Sequence, residues 1–117
     1  MSGVFEGMSV NVKVVDNSQI FINAKNEAIA AALEAIGLTA ERHAKEKCPV
    51  DTGRLRNSIS HAVKENEQAV YIGTNVEYAA YVEMGTSRTK AQPYLKPAAI
   101  NHVEEYKRIA EAQLKKA

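Results

Sequence analysis

Three histidines, one cysteine and a few carboxylates are the groups in this 117-residue chain with the chemistry for catalysis or metal binding. His43, His61 and His102 fall in separate stretches, without the H-x-x-x-H or H-E-x-x-H spacing that sets two imidazoles on one helical face. They read as surface or partly buried imidazoles, and no metal site is expected. Ser58, Ser60 and His61 are sequence neighbours, but no G-x-S-x-G turn is there to raise a serine as a nucleophile. Cys48 stands directly before Pro49, where a small buried apolar residue is the expectation rather than a catalytic thiol. Asp51-Thr52-Gly53 lacks the glycine spacing and the Lys-Ser/Thr pair of a phosphate loop. Asp51, Glu77 and Glu83 would make an acid–base set only if a pocket gathered two of them. The simpler reading is that Asp51 and Thr52 hold backbone amides in a turn, while Gly53, Gly73 and Gly85 serve the backbone. Neither an enzyme nor a cofactor is expected.

Charge narrows the partners. Fifteen basic and fourteen acidic residues leave a formal net charge of +1. A protein that neutralises many phosphates normally carries a larger excess or a basic stripe. Arg54, Arg56, Arg88 and Lys90 are the candidate basic patch, but aromatics do not interleave with them as in single-strand binders. Nucleic acid is therefore the runner-up partner, behind protein. No apolar run approaches the roughly 18–20 residues needed to cross a bilayer. The amino terminus shows no basic segment followed by an apolar stretch, so no secretory signal is expected. A single cysteine excludes an internal disulfide, and a free thiol in the cytoplasm is the expectation.

The elements that must position these groups follow from periodicity. Length predicts one domain over residues 1–117, with residues 1–8 poorly ordered on their own. Ser9 to Val14 alternates polar and apolar residues, which predicts a half-buried strand ended by the turn cluster Asp16-Asn17-Ser18. Ile20-Phe21-Ile22 fits either a second strand or the lead into a helix. From about Ala24 to Lys47, Ile29, Leu33, Ile36, Ala40 and Ala44 recur on one helical face. Asn23 is the predicted N-cap, Gly37 a weak spot, and Pro49 the stop.

Pro49 to Gly53 predicts a compact turn and a short helical turn through Arg54-Leu55-Arg56. Ser58–Val63 and Ala69–Gly73 then predict an antiparallel hairpin across Asn66-Glu67. Asn75 is expected to cap a short helix over Val76–Met84, which Gly85 ends. Residues 86–93 form a polar exposed loop, longer than the usual ~4–6 residue connection. A last helix is expected over Leu95–Leu114, with Pro97 in its first turn and a stripe of Leu95, Ala99, Val103, Tyr106, Ala110 and Leu114. The order β-α-β-β-α-α predicts an α+β fold, a small antiparallel sheet packed against a long N-terminal helix and a C-terminal helix.

Three blocks in the middle of the chain carry a resemblance. Cys48-Pro49-Val50-Asp51-Thr52-Gly53-Arg54-Leu55-Arg56-Asn57-Ser58-Ile59 resembles the P-V-x-T-G-x-L-x-x-S-I signature of small tail-component proteins of tailed phages. That family is described as head–tail joining or tail-completion proteins of siphophages and related prophages. Ile72 to Thr86, with Gly73, Tyr78, Glu83 and Gly85, is similar to its V-G-x-x-x-x-Y-A-x-x-x-E-x-G-T pattern. Ala91 to Ala98, with Pro93 and Pro97, is similar to its Q-P-F-L-R-P-A segment. The blocks span roughly residues 48–98 in the family's order, and the first twenty residues match less well.

The resemblance implies a structural virion protein of the neck or tail end. It implies self-association into a ring, or docking onto the neck, connector and tail-tube proteins, after assembly in the host cytoplasm. It brings no catalytic residues. Tyr78, Tyr81 and Tyr94 divide equally between core and interface, since tyrosine pairs an apolar body with a polar tip. Tyr81, Thr86, Ser87, Arg88, Lys90, Gln92 and Tyr94 are the candidate interface. An arm at 86–93 that orders against the next subunit would suit a ring of repeating heterologous contacts. Deleting residues 86–92 is expected to leave a folded monomer and to block assembly.

Overall fold

The computed structural model describes residues 10–15 and 26–116. Among them the elements run β1 (Val10–Val15), α1 (Asn26–Lys47), α2 (Arg54–Ser58), β2 (Ser60–Lys64), β3 (Ala69–Thr74), α3 (Ala79–Met84), α4 (Leu95–Ile100) and α5 (Val103–Lys115). A 3-10 turn, Glu65–Glu67, joins β2 to β3. The fold is α+β, a small antiparallel sheet with helices packed on it. β3 is the middle strand, flanked by β1 and β2.

Register explains which side chains meet α1. Val12 and His61 both pair with Ile72, and Val63 pairs with Val70, so these residues share one face of the sheet. Ile72 and Val70 on that face are fully buried. On the other face Lys13 lies over the Tyr71 ring at 6.0 Å, and the Tyr71 hydroxyl donates to Glu67 at 2.9 Å.

α1 crosses β2 and β3, α5 packs along α1, and α4 packs against both β1 and α1. The stripe expected on α1 is the buried one: Ile29, Leu33, Ile36, Ala40 and Ala44 all belong to the core. Small residues at 32, 40 and 44 let α1 lie close to its neighbours. Gly37 takes this furthest, because a Cβ there would meet His61 Cδ2 at 2.4 Å. The glycine that weakens the helix makes room for an imidazole from the sheet.

Several boundaries differ from the sequence reading. The last helix is broken: α4 ends at Ile100, and α5 restarts at Val103 after Asn101 and His102. The break turns Val103 out of the expected stripe, leaving it 52% exposed, whereas Tyr106 and Ala110 stay buried. The helical turn after Gly53 continues to Ser58, so β2 begins at Ser60. The short helix begins at Ala79 rather than Val76. Residues 1–8, the cap at Asn23 and the 20–22 segment lie outside the described residues.

Candidate assembly groove

The three signature blocks converge on one concave surface. A cavity of about 580 Å³ is walled by residues 49–55 on one side and by Tyr78, Tyr81 and Val82 on another. Thr86, Thr89, Lys90 and Gln92 close the third side. Sequence spacing alone does not dictate this meeting, and hydrogen bonds account for it.

The first wall is a turn with a left-handed residue. Gly53 has φ 90°, and Asn57 N–H donates to its carbonyl at 2.9 Å, closing the first turn of α2. Thr52 Oγ1 accepts from Arg54 N–H at 3.2 Å. Ser58 closes the other end of α2: its hydroxyl donates to the Leu55 carbonyl at 2.6 Å. With that proton committed, the Thr74 hydroxyl donates to Ser58 Oγ at 2.5 Å, while Thr74 Oγ1 accepts from Val76 N–H at 3.1 Å. This relay ties α2 to the end of β3 through the fully buried Thr74.

Arg54 clamps the first wall to the second. Its guanidinium makes two parallel hydrogen bonds to Glu77, at 3.1 and 2.8 Å, and lies 5.4 Å from the Tyr78 ring centroid. One member of the expected basic patch is thus paired with a carboxylate.

The second and third walls are joined by Glu83. Its Oε1 accepts from the N–H groups of Tyr94 and Leu95 at 2.9 and 2.8 Å, and its Oε2 accepts from Lys96 N–H at 3.0 Å. The first turn of a helix leaves N–H groups without intrahelical partners. No side chain at the cap position of α4 serves them, and a carboxylate eleven residues earlier does so instead. The Pro93-Tyr94 start, which offers no local cap residue, was the signal in the sequence that a remote acceptor was needed.

The loop between these walls is a hydrogen-bonded turn. Thr86 N–H donates to the Thr89 carbonyl at 2.8 Å, and Thr86 Oγ1 accepts from Arg88 and Thr89 N–H at 3.2 and 3.0 Å. Gln92 N–H donates to the Val82 carbonyl at 2.8 Å. Gly85, at φ 75°, lets the loop return over α3: a Cβ there would meet Ala91 N at 2.7 Å. Residues 86–90 are exposed.

The tyrosines separate. Tyr81 is 62% exposed at the groove, near the exposed Val50. Tyr78 is half-buried against the core. Tyr94, placed among the candidate interface residues from sequence, is instead fully buried and donates to the Ala79 carbonyl at 3.2 Å. Its ring fills the space between α3 and α4, so it cannot itself touch a neighbour. Val50 and Met84 are large exposed apolar residues that the sequence reading did not single out.

The residues weighed for catalysis are engaged separately. Glu83 is occupied by three backbone amides, Glu77 by Arg54, and Asp51 is exposed. Burial pushes the Cys48 thiol up, and its Sγ faces the Pro49 carbonyl at 3.4 Å. His61 is held between Glu41 and Glu34, at 2.8 and 2.9 Å. His43 and His102, far apart in sequence, stack on one another at the α1–α5 contact. No helix among the described residues is long and apolar enough to cross a membrane.

A small antiparallel sheet, a long helix over it, and a groove lined by turn and loop residues make up an α+β domain with one concave surface of note. The model of the HK97-gp10-like family, the bacteriophage HK97-gp10 tail component, matches residues 13–85, and this chain belongs to that family. No curated protein and no solved structure matches it. The match takes in the first signature block, the second up to Gly85, and two walls of the groove; the third wall lies beyond it.

Proposed function

We propose that this phage tail component works at the head–tail junction or tail end, as a joining or tail-completion subunit that acts by protein–protein assembly, without catalysis or a cofactor. The observation that carries this reading is the groove itself. Besides the residues they bury in the core, the blocks that resemble the family line a surface depression, residues 49–55 from the first, Tyr78, Tyr81, Val82 and Thr86 from the second and Gln92 from the third, edged by exposed Tyr81 and Val50. Residues devoted to shaping an exposed concavity are what a docking seat requires.

The partners proposed are a second copy of the chain, as in a ring, and the connector and tail-tube proteins next to it. Tyr81 is the anchor, in keeping with the place of tyrosine at interface centres. Thr86, Ser87, Arg88, Lys90 and Gln92 provide a polar rim around it. The chain would join the particle in the host cytoplasm and remain in the virion at the neck.

The test is incorporation into particles. A genome carrying Tyr81→Ser with Lys90→Glu should yield particles that lack this chain and fail to join heads to tails. The isolated variant should melt within a few degrees of the wild type, since both side chains are exposed. Loss of Tyr81 alone is expected to weaken the contact by about 2 kcal/mol, or roughly 30-fold. Normal particles carrying the variant chain would overturn the proposal.

A further inference from the structure

We propose that His43, His102 and Glu105 form a binding site for a divalent d-block cation, with Zn²⁺ the best-matched ion. His43 lies in the last turns of α1, His102 immediately precedes α5, and Glu105 is in the first turn of α5. The two rings stack with centroids 3.6 Å apart and planes 3° from parallel. Glu105 Oε1 sits 2.7 Å from His43 Nε2 and 3.7 Å from His102 Nδ1. The ligand atoms of all three residues lie within 4.8 Å of one another.

Zn²⁺ bonds of about 2.0–2.2 Å in a tetrahedron set ligand atoms roughly 3.3–3.5 Å apart. A tilt of the His102 ring out of the stack and a rotation of the Glu105 carboxylate bring the three atoms to that spacing. The backbone is firmly placed: Tyr106, next to Glu105, is fully buried and donates its hydroxyl to the Ala98 carbonyl at 2.5 Å.

The cation would take the place of the proton now shared between His43 Nε2 and Glu105. Glu105 Oε1 already faces His43 Nε2 across 2.7 Å. The far side of the His43 ring has an outer partner too. Nδ1 lies 3.4 Å from Glu46 Oε1, and a carboxylate on that side favours the tautomer whose Nε2 faces the ion.

His102 and Glu105 also line a shallow depression of about 400 Å³, which gives the ion a path from solvent and leaves a fourth position for water. Arg42 opposes the ion: its guanidinium stands 4.0 Å from Glu105 Oε2, but its side chain is 63% exposed and free to swing into solvent. Two imidazole nitrogens and one carboxylate oxygen suit Zn²⁺, whereas Mg²⁺ and Ca²⁺ favour sites made of oxygen.

Titration of the full chain with ZnCl₂, followed by calorimetry and by the histidine ring signals in NMR, tests the site. One Zn²⁺ per chain is expected, with shifts centred on His43 and His102, a melting temperature that climbs with free Zn²⁺, and no response to MgCl₂. His102→Ala and Glu105→Gln should each weaken binding more than about tenfold. Both variants should keep the wild-type circular dichroism in chelator. His61→Ala, which removes the imidazole held by Glu34 and Glu41, should bind as the wild type does. No Zn²⁺ response overturns the proposal. So does binding that survives His102→Ala or disappears with His61→Ala.

Discussion

Glu83 and His61 show how single side chains hold this domain in shape from a distance. Glu83 caps a helix that begins twelve residues later, so its loss is a lesion of geometry before it is one of binding. Glu83→Ala is expected to cost about 2 kcal/mol, and Glu83→Gln about 1 kcal/mol because one acceptor oxygen remains. Urea midpoints measure both.

His61 gives the fold a pH dependence. Burial works against its charge, but hydrogen bonds to Glu41 and Glu34 outweigh that, and its pKa is raised above the ordinary 6.5. The protonated ring therefore favours the folded state: its contribution is complete below about 6.5 and is lost as pH climbs through the higher folded value. Glu41 behaves in the opposite sense. Burial would raise it, yet His61 and Lys45 together lower it below 4.5, so its contribution is complete above 4.5 and fades as pH falls through the lower folded value. The link is at full strength between 4.5 and 6.5. His61→Gln should lose most stability against the wild type inside that window and less at higher pH. A gap between the two denaturation curves that does not change with pH would refute the link.

Gly37 is tied to the same ring. Gly→Ala in a helix normally gains about 1 kcal/mol, but here a Cβ runs into the His61 ring and must break its grip on a carboxylate. Gly37→Ala should destabilise the wild type and stabilise a His61→Ala background, which a double-mutant cycle reads directly.

At the level of elements, the hinge between α3 and the 86–93 loop rests on Gly85. An alanine there meets both a positive φ and the Ala91 backbone, so Gly85→Ala should cost about 1–3 kcal/mol and distort the third wall of the groove. Thermal melts report the first effect and amide shifts of residues 86–92 the second. The helices were unequally legible in the sequence. α1 announces itself because five apolar positions keep helical spacing over its whole length. The interruption at Asn101–His102 was hidden because Leu95, Ala99, Val103 and Tyr106 keep the same spacing straight through it. Only the exposure of Val103 betrays the turn of the second segment. The groove was legible as three blocks in a family order but not as one place. Its joints, Arg54 to Glu77 and Glu83 to the start of α4, span 23 and 11 to 13 residues, beyond any local pattern. Tyr94 was ambiguous for a related reason: its partner is a carbonyl on another helix. The stacking of His43 on His102 likewise depends on how α5 lies along α1, which no spacing rule encodes.

For the molecule as a whole, a net charge of +1 and the pairing of Arg54 with Glu77 predict little affinity for DNA. The full chain should show no retention of duplex DNA at about 0.15 M salt in a gel-shift assay; micromolar binding there with a steep salt slope would favour a nucleic-acid role instead. The order of the strands also sets an order in time. β2 and β3 are joined by a short turn and can close on each other as soon as both exist. β1 is made earlier yet, among the described residues, pairs with β3 alone, and that pairing must wait until α1 and the whole hairpin have been synthesised. Through that interval Val12 and Val14 lack the β3 partner they have in the folded chain, and where many copies are made at once, β1 is a segment open to capture by the β3 of another copy. Production at lower temperature, which slows synthesis and crowding of nascent chains alike, should favour the natively paired chain over such exchanged pairs.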